Sequence, residues 1–190
     1  MPRRAQPEPL GLQHVLVAGG TPADWWSMSP EAWGERLAML ADHASGAGAS
    51  WLTVRPIGAD RSGRAATEGE APPWPLDPVI IGGVTVVVDD EADARRRMEA
   101  VLSGLVAQGA TAANITEQQL GAAFADPAPV EPDLAVLFGP EDTLPSSLSW
   151  ELAYAEVVFI AASWCEVDPI VVKAGVAEYF TRNRRFGAVT

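Results

Sequence analysis

Short apolar runs alternate along the chain with longer stretches in which apolar residues recur every three or four positions. That order specifies an open, mostly parallel β-sheet flanked by helices. His14–Ala18 reads as a buried first strand, followed by a turn at Gly19-Gly20-Thr21-Pro22. Ser29-Pro30-Glu31 supplies an N-cap, a proline at the first helical position and an early acid. Trp33, Leu37, Leu40 and Ala41 then share one face of a helix that stops near Gly46. Residues 50–57 read as a second strand, and 58–78 as a loop of Gly, Pro and charge without an apolar period. The β-branched run at 84–88 is expected to be a central strand. Residues 91–108 form the next helix, with Met98, Val101, Leu102 and Leu105 as its buried stripe and Gly109 as its stop. A short helix starts at Thr116-Glu117 and runs to about Phe124, and buried strands follow at 133–138 and 157–160. Asp168-Pro169 caps a last helix through Phe180, which runs into a tail carrying Arg182, Arg184, Arg185 and Gly187. The expectation is one α/β domain over 13–190, preceded by a flexible segment over 1–12.

Composition narrows the function classes. Hydrophobic residues make up 48% of the 190 and seven are Trp, enough for a packed core, which excludes disorder for most of the chain. Thirteen Lys and Arg stand against 25 Asp and Glu, and the formal charge of -12 repels nucleic-acid phosphates and anionic lipid. Cys165 is the single cysteine, so neither an intrachain disulfide nor a cysteine-based zinc site can form. With no apolar signal core at the start and no run of ~20 apolar residues, the sequence reads as soluble and cytoplasmic.

Four ordered elements carry a resemblance. Pro132-Asp-Leu-Ala-Val-Leu137, Trp150-Glu-Leu-Ala-Tyr-Ala-Glu156, then Phe159 with Trp164, and Arg184-Arg-Phe-Gly187 stand in the order and at closely the spacing seen in the cis-prenyltransferases, the undecaprenyl diphosphate synthase family. More loosely, His14-Val15 and Trp25 match the family's His-Val-x-x-x-Met-Asp-Gly-Asn-x-x-Trp motif. The resemblance implies an α/β domain that condenses isopentenyl diphosphate with an allylic diphosphate, using Mg2+.

The chain departs from the family where that chemistry is concentrated. Gly20 stands where the family has the Asp that positions magnesium, and Thr21-Pro22 stands in place of Gly-Asn. Leu137 and Thr143 occupy the positions of two Arg that hold isopentenyl diphosphate, and Pro145 replaces a Ser. An allylic diphosphate ionises only if its departing charge is stabilised, so this copy of the site is expected to be inactive. The loop at 58–78 is also too short for the two helices that wall the product tunnel in synthases, at ~1.5 Å of helix per residue.

What is kept is the tail. The resemblance implies that Arg185 and Gly187, with Arg184, reach across a dimer interface to the diphosphate of the partner's substrate. The same loss and retention marks the Nogo-B receptor type of subunit in two-component enzymes. Glu156 matches a family acid near the magnesium site and is a candidate metal ligand. The expectation is therefore a non-catalytic accessory subunit in a heterodimer or heterotetramer, with Mg2+ in the active site of a synthase-like partner. The interface would come from residues 150–164 and the last helix. A divergent homodimeric short-chain synthase and a non-enzymatic binding module stand as alternatives.

Other residues have plainer readings. Gly19-Gly20-Thr21 suits a phosphate cradle but reads better as a vestigial turn. His14 reads as a satisfied structural histidine, His43 as surface and Cys165 as packing. Asp89-Asp90-Glu91 reads as the acidic start of a helix rather than a metal site, and Trp25 and Trp26 as core and interface.

Overall fold

The computed structural model describes residues 11–58, 70–139 and 144–181. The elements run β1 (His14–Ala18), α1 (Pro22–Ser27), α2 (Pro30–Gly46), β2 (Trp51–Arg55), β3 (Val79–Ile81), β4 (Val84–Val88), α3 (Ala94–Ala107), α4 (Glu117–Ala125), β5 (Leu134–Phe138), β6 (Glu156–Ile160) and α5 (Pro169–Thr181). Short 3-10 turns at Ser146–Leu148, Glu151–Ala153 and Trp164–Glu166 fill the connections around β6. The strands form one sheet in the order β3-β4-β2-β1-β5-β6, parallel throughout except for the β3–β4 hairpin. This is the expected α/β architecture.

Register sorts the side chains onto two faces. Val15, Leu52 and Leu134 lie opposite one another across β1, β2 and β5, as do Val17, Val54 and Val136. This face is the large core under α1, α2 and α5, and it holds five indoles. Trp25, Trp26, Trp33, Trp74 and Trp164 contact one another with ring centroids 4.8 to 6.1 Å apart, mostly edge to face or tilted. Trp25 and Trp33 are each 1% exposed, so the expected core role holds for Trp25, while Trp26 is partly buried at its margin. The opposite face carries Leu16, Ala18, Ala135 and Leu137 under Leu148, and then turns polar across β2, where Thr53 and Arg55 are buried. Leu12, at the end of the segment expected to be flexible, is buried in the main core.

Several boundaries differ from the sequence reading, each for a local reason. Beyond Gly20 the chain makes a six-residue helix, α1, because Thr21 and Asp24 form a capping box around Pro22. The sequence reading had no strand at 79–81, where β3 pairs with β4 through the Gly82-Gly83 turn, both glycines having positive φ, so the run at 84–88 is flanked on both sides and is an interior strand as expected. Helix α3 starts at Ala94, since Asp93, rather than Asp89-Asp90-Glu91, caps its first turn. Its expected stripe is largely exposed: Met98 is 37% and Leu102 41% exposed, and only Leu105 is buried with Arg97. The helix is turned so that the row Arg97, Val101, Leu105 faces inward, a rotation set by the charge on Arg97 and not by apolar period.

Trp33 fixes α2 to α1, because its ring packs on Trp25 and its Nε1 donates to the Trp25 carbonyl at 3.1 Å. Trp33→Ala is expected to lower unfolding stability by about 3–5 kcal/mol, read as a fall in the urea midpoint with the slope unchanged.

Candidate functional site

In an open parallel sheet the ligand crevice lies beyond the carboxyl ends of the strands, where successive connections diverge. Here β1 lies between β2 and β5, so that point is the Gly19-Gly20 turn together with the ends of β2, β5 and β6. The sequence candidates Gly20 and Leu137 meet there. Thr143, Arg184, Arg185 and Gly187 lie outside the described residues, as does Arg182.

The turn is filled from within. A Cβ on Gly19 would lie 2.5 Å from Trp164 Cε3, and one on Gly20 would lie 2.6 Å from Trp164 Cδ1. Gly20 also has φ +70, which favours glycine. Several polar groups of the turn are satisfied internally, although Nε1 of the covering Trp164 is buried with no hydrogen-bond partner among the described residues. Gly19 N–H donates to the Arg55 carbonyl at 3.0 Å, and Trp25 Nε1 donates to the Gly19 carbonyl at 2.8 Å. Thr21 N–H and its hydroxyl donate to Asp24 Oδ2 at 2.8 and 2.9 Å. A carboxylate therefore sits on the donors that an incoming phosphate would need, and it repels one. Arg36 on α2 stacks over the Trp164 ring, 4.7 Å from its centroid, and donates to the Trp164 carbonyl, which locks the indole in place. Cys165 lies beside Asp24, and burial and that carboxylate push its thiol up, so it is no activated nucleophile.

Beyond the turn lies a cavity of about 260 Å3 lined by Ile57, Gly58, Leu137, Phe138, Gly139, Leu144, Pro145, Ser146 and Phe159. No cation lines it among the described residues. Magnesium does not fit this crevice. No described acid lines it, Asp24 at the adjoining turn is spent on the capping box, and no group of three His, Cys, Asp or Glu suited to a metal occurs among the described residues. Glu156 opens β6 opposite Leu134, at the far end of the sheet from Gly20. The structure does not bring it to the crevice.

Charge gathers instead on the second face, a cluster the sequence reading did not see. Arg55 Nε lies 2.9 Å from Asp89 Oδ2 while its Nη1 contacts Glu151 Oε1, and Arg97 Nη2 lies 2.6 Å from the same Glu151 oxygen. Arg97 Nη2 also donates to the Phe124 carbonyl at 2.7 Å. Burial pulls the Arg97 guanidinium down and Arg55 adds to the pull, while Glu151 and Asp89 hold it up. The Glu151 Oε2 and Ser147 Oγ atoms are buried with no hydrogen-bond partner among the described residues. Both guanidinium groups are engaged with carboxylates and carbonyls, so the cluster ties the ends of β2 and β4, α3 and the 151–153 turn together and offers no free cation. The available signal was a run of Arg at 95–97 inside an amphipathic stretch, where one Arg takes an inward position.

His14 is the satisfied histidine expected. Its Nδ1 lies 2.8 Å from the Val130 carbonyl and its Nε2 2.8 Å from Thr53 Oγ1, so Nδ1 donates and Nε2 accepts from the hydroxyl. Burial pushes the imidazole below its ordinary 6.5, and the Val130 hydrogen bond opposes this in part.

Comparison with known proteins agrees with the fold. Residues 87–187 match the family model described as putative undecaprenyl diphosphate synthase. The chain is 35% identical to isoprenyl transferase 2 of Bradyrhizobium diazoefficiens over 77 residues, 40% of this chain and 31% of that protein. It is 31% identical to an isoprenyl transferase of Neisseria gonorrhoeae over 105 residues, 55% of this chain and 42% of that protein. The chain thus spans less than half the length of these curated relatives. The crystal structure of a probable undecaprenyl diphosphate synthase from Campylobacter jejuni superposes with a TM-score of 0.60 over 91% of this chain and 97% of that one, at 14% identity, which establishes the shared fold.

Two outcomes are expected. Glu151→Ala leaves two buried arginines short of a counter-charge and should cost about 3–5 kcal/mol, whereas Glu99→Ala on the exposed side of α3 should stay within about 0.5 kcal/mol, both read by urea unfolding. A histidine whose folded value is depressed contributes stability that is full above 6.5 and is lost as pH falls below it. Stability should therefore fall by at most about 1.4 kcal/mol per pH unit below 6.5 on account of His14, and His14→Gln should flatten that slope in pH-resolved unfolding.

A family match across more than half its length, on a six-stranded sheet of this order, makes this chain a member of the undecaprenyl diphosphate synthase (cis-prenyltransferase) family.

Proposed function

We propose that the chain is a non-catalytic accessory subunit of a heteromeric cis-prenyltransferase. Its partner is a synthase-like catalytic subunit that carries Mg2+ and condenses isopentenyl diphosphate with an allylic diphosphate. The observation that carries this reading is the closed turn: Asp24 and Trp164 occupy the place where a working site needs metal, donors and open space. No described group in the crevice can stabilise a departing diphosphate.

The surface left for an accessory role is the sheet edge and the last helix. β6 forms an edge of the sheet, and α5 beside it exposes Ile170 at 77% and Phe180 at 54%. Apolar exposure of that size beside an open strand suits an interface with a second chain. Helix α5 ends at Thr181, so the next residues lead directly to Arg184, Arg185 and Gly187. In the proposed complex these complete the partner's isopentenyl diphosphate site. Glu156, on that same edge strand, would reach a metal only across the interface. No helix among the described residues is long and apolar enough to cross a membrane. The proposal takes residues 13–190 as one domain with a shortened tunnel region at 58–78.

Prenyl transfer from radiolabelled isopentenyl diphosphate tests this with three samples: this chain, a synthase-like partner, and the co-expressed pair. Activity is expected in the pair alone, and Arg185→Ala should lower its kcat/KM about 100-fold while the pair still co-elutes on size exclusion. Condensation by this chain alone, or a pair indifferent to Arg185→Ala, overturns the reading.

A further inference from the structure

A row of aromatic rings runs from the ion cluster out to solvent. The Arg97 guanidinium lies over the Phe124 ring, 5.0 Å from its centroid, and Phe124 stacks on Trp150 at 4.9 Å with the ring planes 10° apart. Tyr154 tilts against Trp150 at 5.9 Å and ends the row, 56% exposed. Carboxylates fix the two outer rings. Trp150 Nε1 donates to Glu131 Oε1 at 2.7 Å, and the Tyr154 hydroxyl donates to Glu117 Oε1. Glu131 is itself seated against α4, where a Cβ on Gly121 would lie 2.7 Å from its carboxyl carbon. Among the described residues neither Glu117 nor Glu131 forms an ion pair, so two uncompensated carboxylates stand beside the rings.

Elsewhere the chain shows what such rings accept. Arg97 over Phe124 also donates to the Phe124 carbonyl, and Arg36 over Trp164 also donates to the Trp164 carbonyl. In both, one guanidinium stacks on a ring and bonds to an oxygen beside it. Tyr154 repeats the ring and offers a stronger acceptor in the Glu117 carboxylate, yet no described cation lies over it. A quaternary ammonium has no N–H for that carboxylate, and a lysine ammonium is a hydrated point charge that does not stack. A planar guanidinium does both at once. On an open surface one stacked cation gains little by itself, so the side chain must arrive on a polypeptide that makes further contacts. The edge strand β6 starts two residues after Tyr154, and such a polypeptide can continue along it. The field of a molecule of charge -12 also favours a basic segment in approach. We propose that Tyr154, Trp150, Glu117 and Glu131 form a docking site for an arginine of a partner protein, whose guanidinium stacks on Tyr154 and bonds to Glu117. This inference stands on the patch itself and is independent of the accessory role, which is read by activity of the pair.

Nuclear magnetic resonance of the full isotope-labelled chain tests this through the Trp150 indole N–H, identified by its loss in Trp150→Phe. The probes are the peptide acetyl-Gly-Arg-Gly-Arg-Gly-amide and its counterparts with citrulline or lysine at both arginines, citrulline keeping the shape without the charge. The arginine peptide should shift that resonance with a Kd on the order of 1 mM, the lysine peptide binding at least about threefold and the citrulline peptide at least about tenfold more weakly. Tyr154→Leu removes the ring, and Glu117→Gln removes the charge while keeping an acceptor for the hydroxyl. Both positions are exposed, so far-UV circular dichroism should be native in each. Each should weaken the arginine peptide about fivefold or more, whereas Glu35→Gln, the same loss of charge at an exposed position of α2, should leave its Kd within about twofold. No shift of the Trp150 resonance at about 10 mM peptide, a citrulline or lysine peptide that binds as well, Glu35→Gln as damaging as Glu117→Gln, or unchanged affinity in both natively folded variants overturns the proposal.

Discussion

Two glycines and one indole set the terms for the rest of this molecule. The Trp164 ring lies so close to Gly19 and Gly20 that any side chain there would collide with it, which ties the turn after β1 to the segment after β6. That contact joins Trp164 to Trp25 and Trp33, and through them fixes α1 and α2 on the sheet. Arg36 reaches over from α2 and closes the ring by stacking on Trp164 and capping its carbonyl. The core and the crevice are therefore one structure. Opening the turn to admit a phosphate would mean taking apart the aromatic packing that the fold rests on.

The second face follows a different logic. Helices over a parallel sheet normally bury an apolar stripe. Here α3 buries Arg97 against Glu151 and Asp89, with Arg55 rising from β2 to meet the same carboxylates. Such a cluster stabilises little in net terms, because desolvation opposes the ion-pair energy, yet each member is costly to remove once the others are in place. It specifies the rotation of α3 and the seat of the 151–153 turn. The exposed apolar residues of α3 are the consequence of that choice.

The parts of the fold legible in the sequence were those dictated by period and capping. His14–Ala18 and Leu134–Phe138 are buried at every position, as continuous apolar runs in a parallel sheet must be, and Ser29-Pro30 starts α2 where its chemistry demands. β3 escaped because three residues carry no period, although Gly82-Gly83 marked the hairpin. The stripe of α3 misled because periodicity reports that a helix has an apolar side, not which neighbour faces it. In the crevice, Gly20 and Leu137 could be read as losses from aligned motifs alone. What replaced the lost groups could not, since Asp24 and Trp164 reach the turn from opposite directions, one through a local capping box and the other from 144 positions along the chain.

That replacement has a thermodynamic direction. Catalytic sites hold like charges close together, leave donors unpaired and keep space open, all at the expense of stability. In this chain Leu137 is apolar and buried, the donors at Thr21 are satisfied by Asp24, and an indole covers the turn. Filling the turn and pairing its donors both remove features that cost stability in a working site, and the sheet that carries them is kept. Four buried side-chain atoms have no hydrogen-bond partner among the described residues: Glu151 Oε2 and Ser147 Oγ in and beside the ion cluster, and Trp74 Nε1 and Trp164 Nε1 in the aromatic core, the last on the indole that covers the turn. The aromatic packing that closes the turn is thus kept at the cost of unpaired indole N–H groups, while the frame that positions α3 carries two unpaired oxygens.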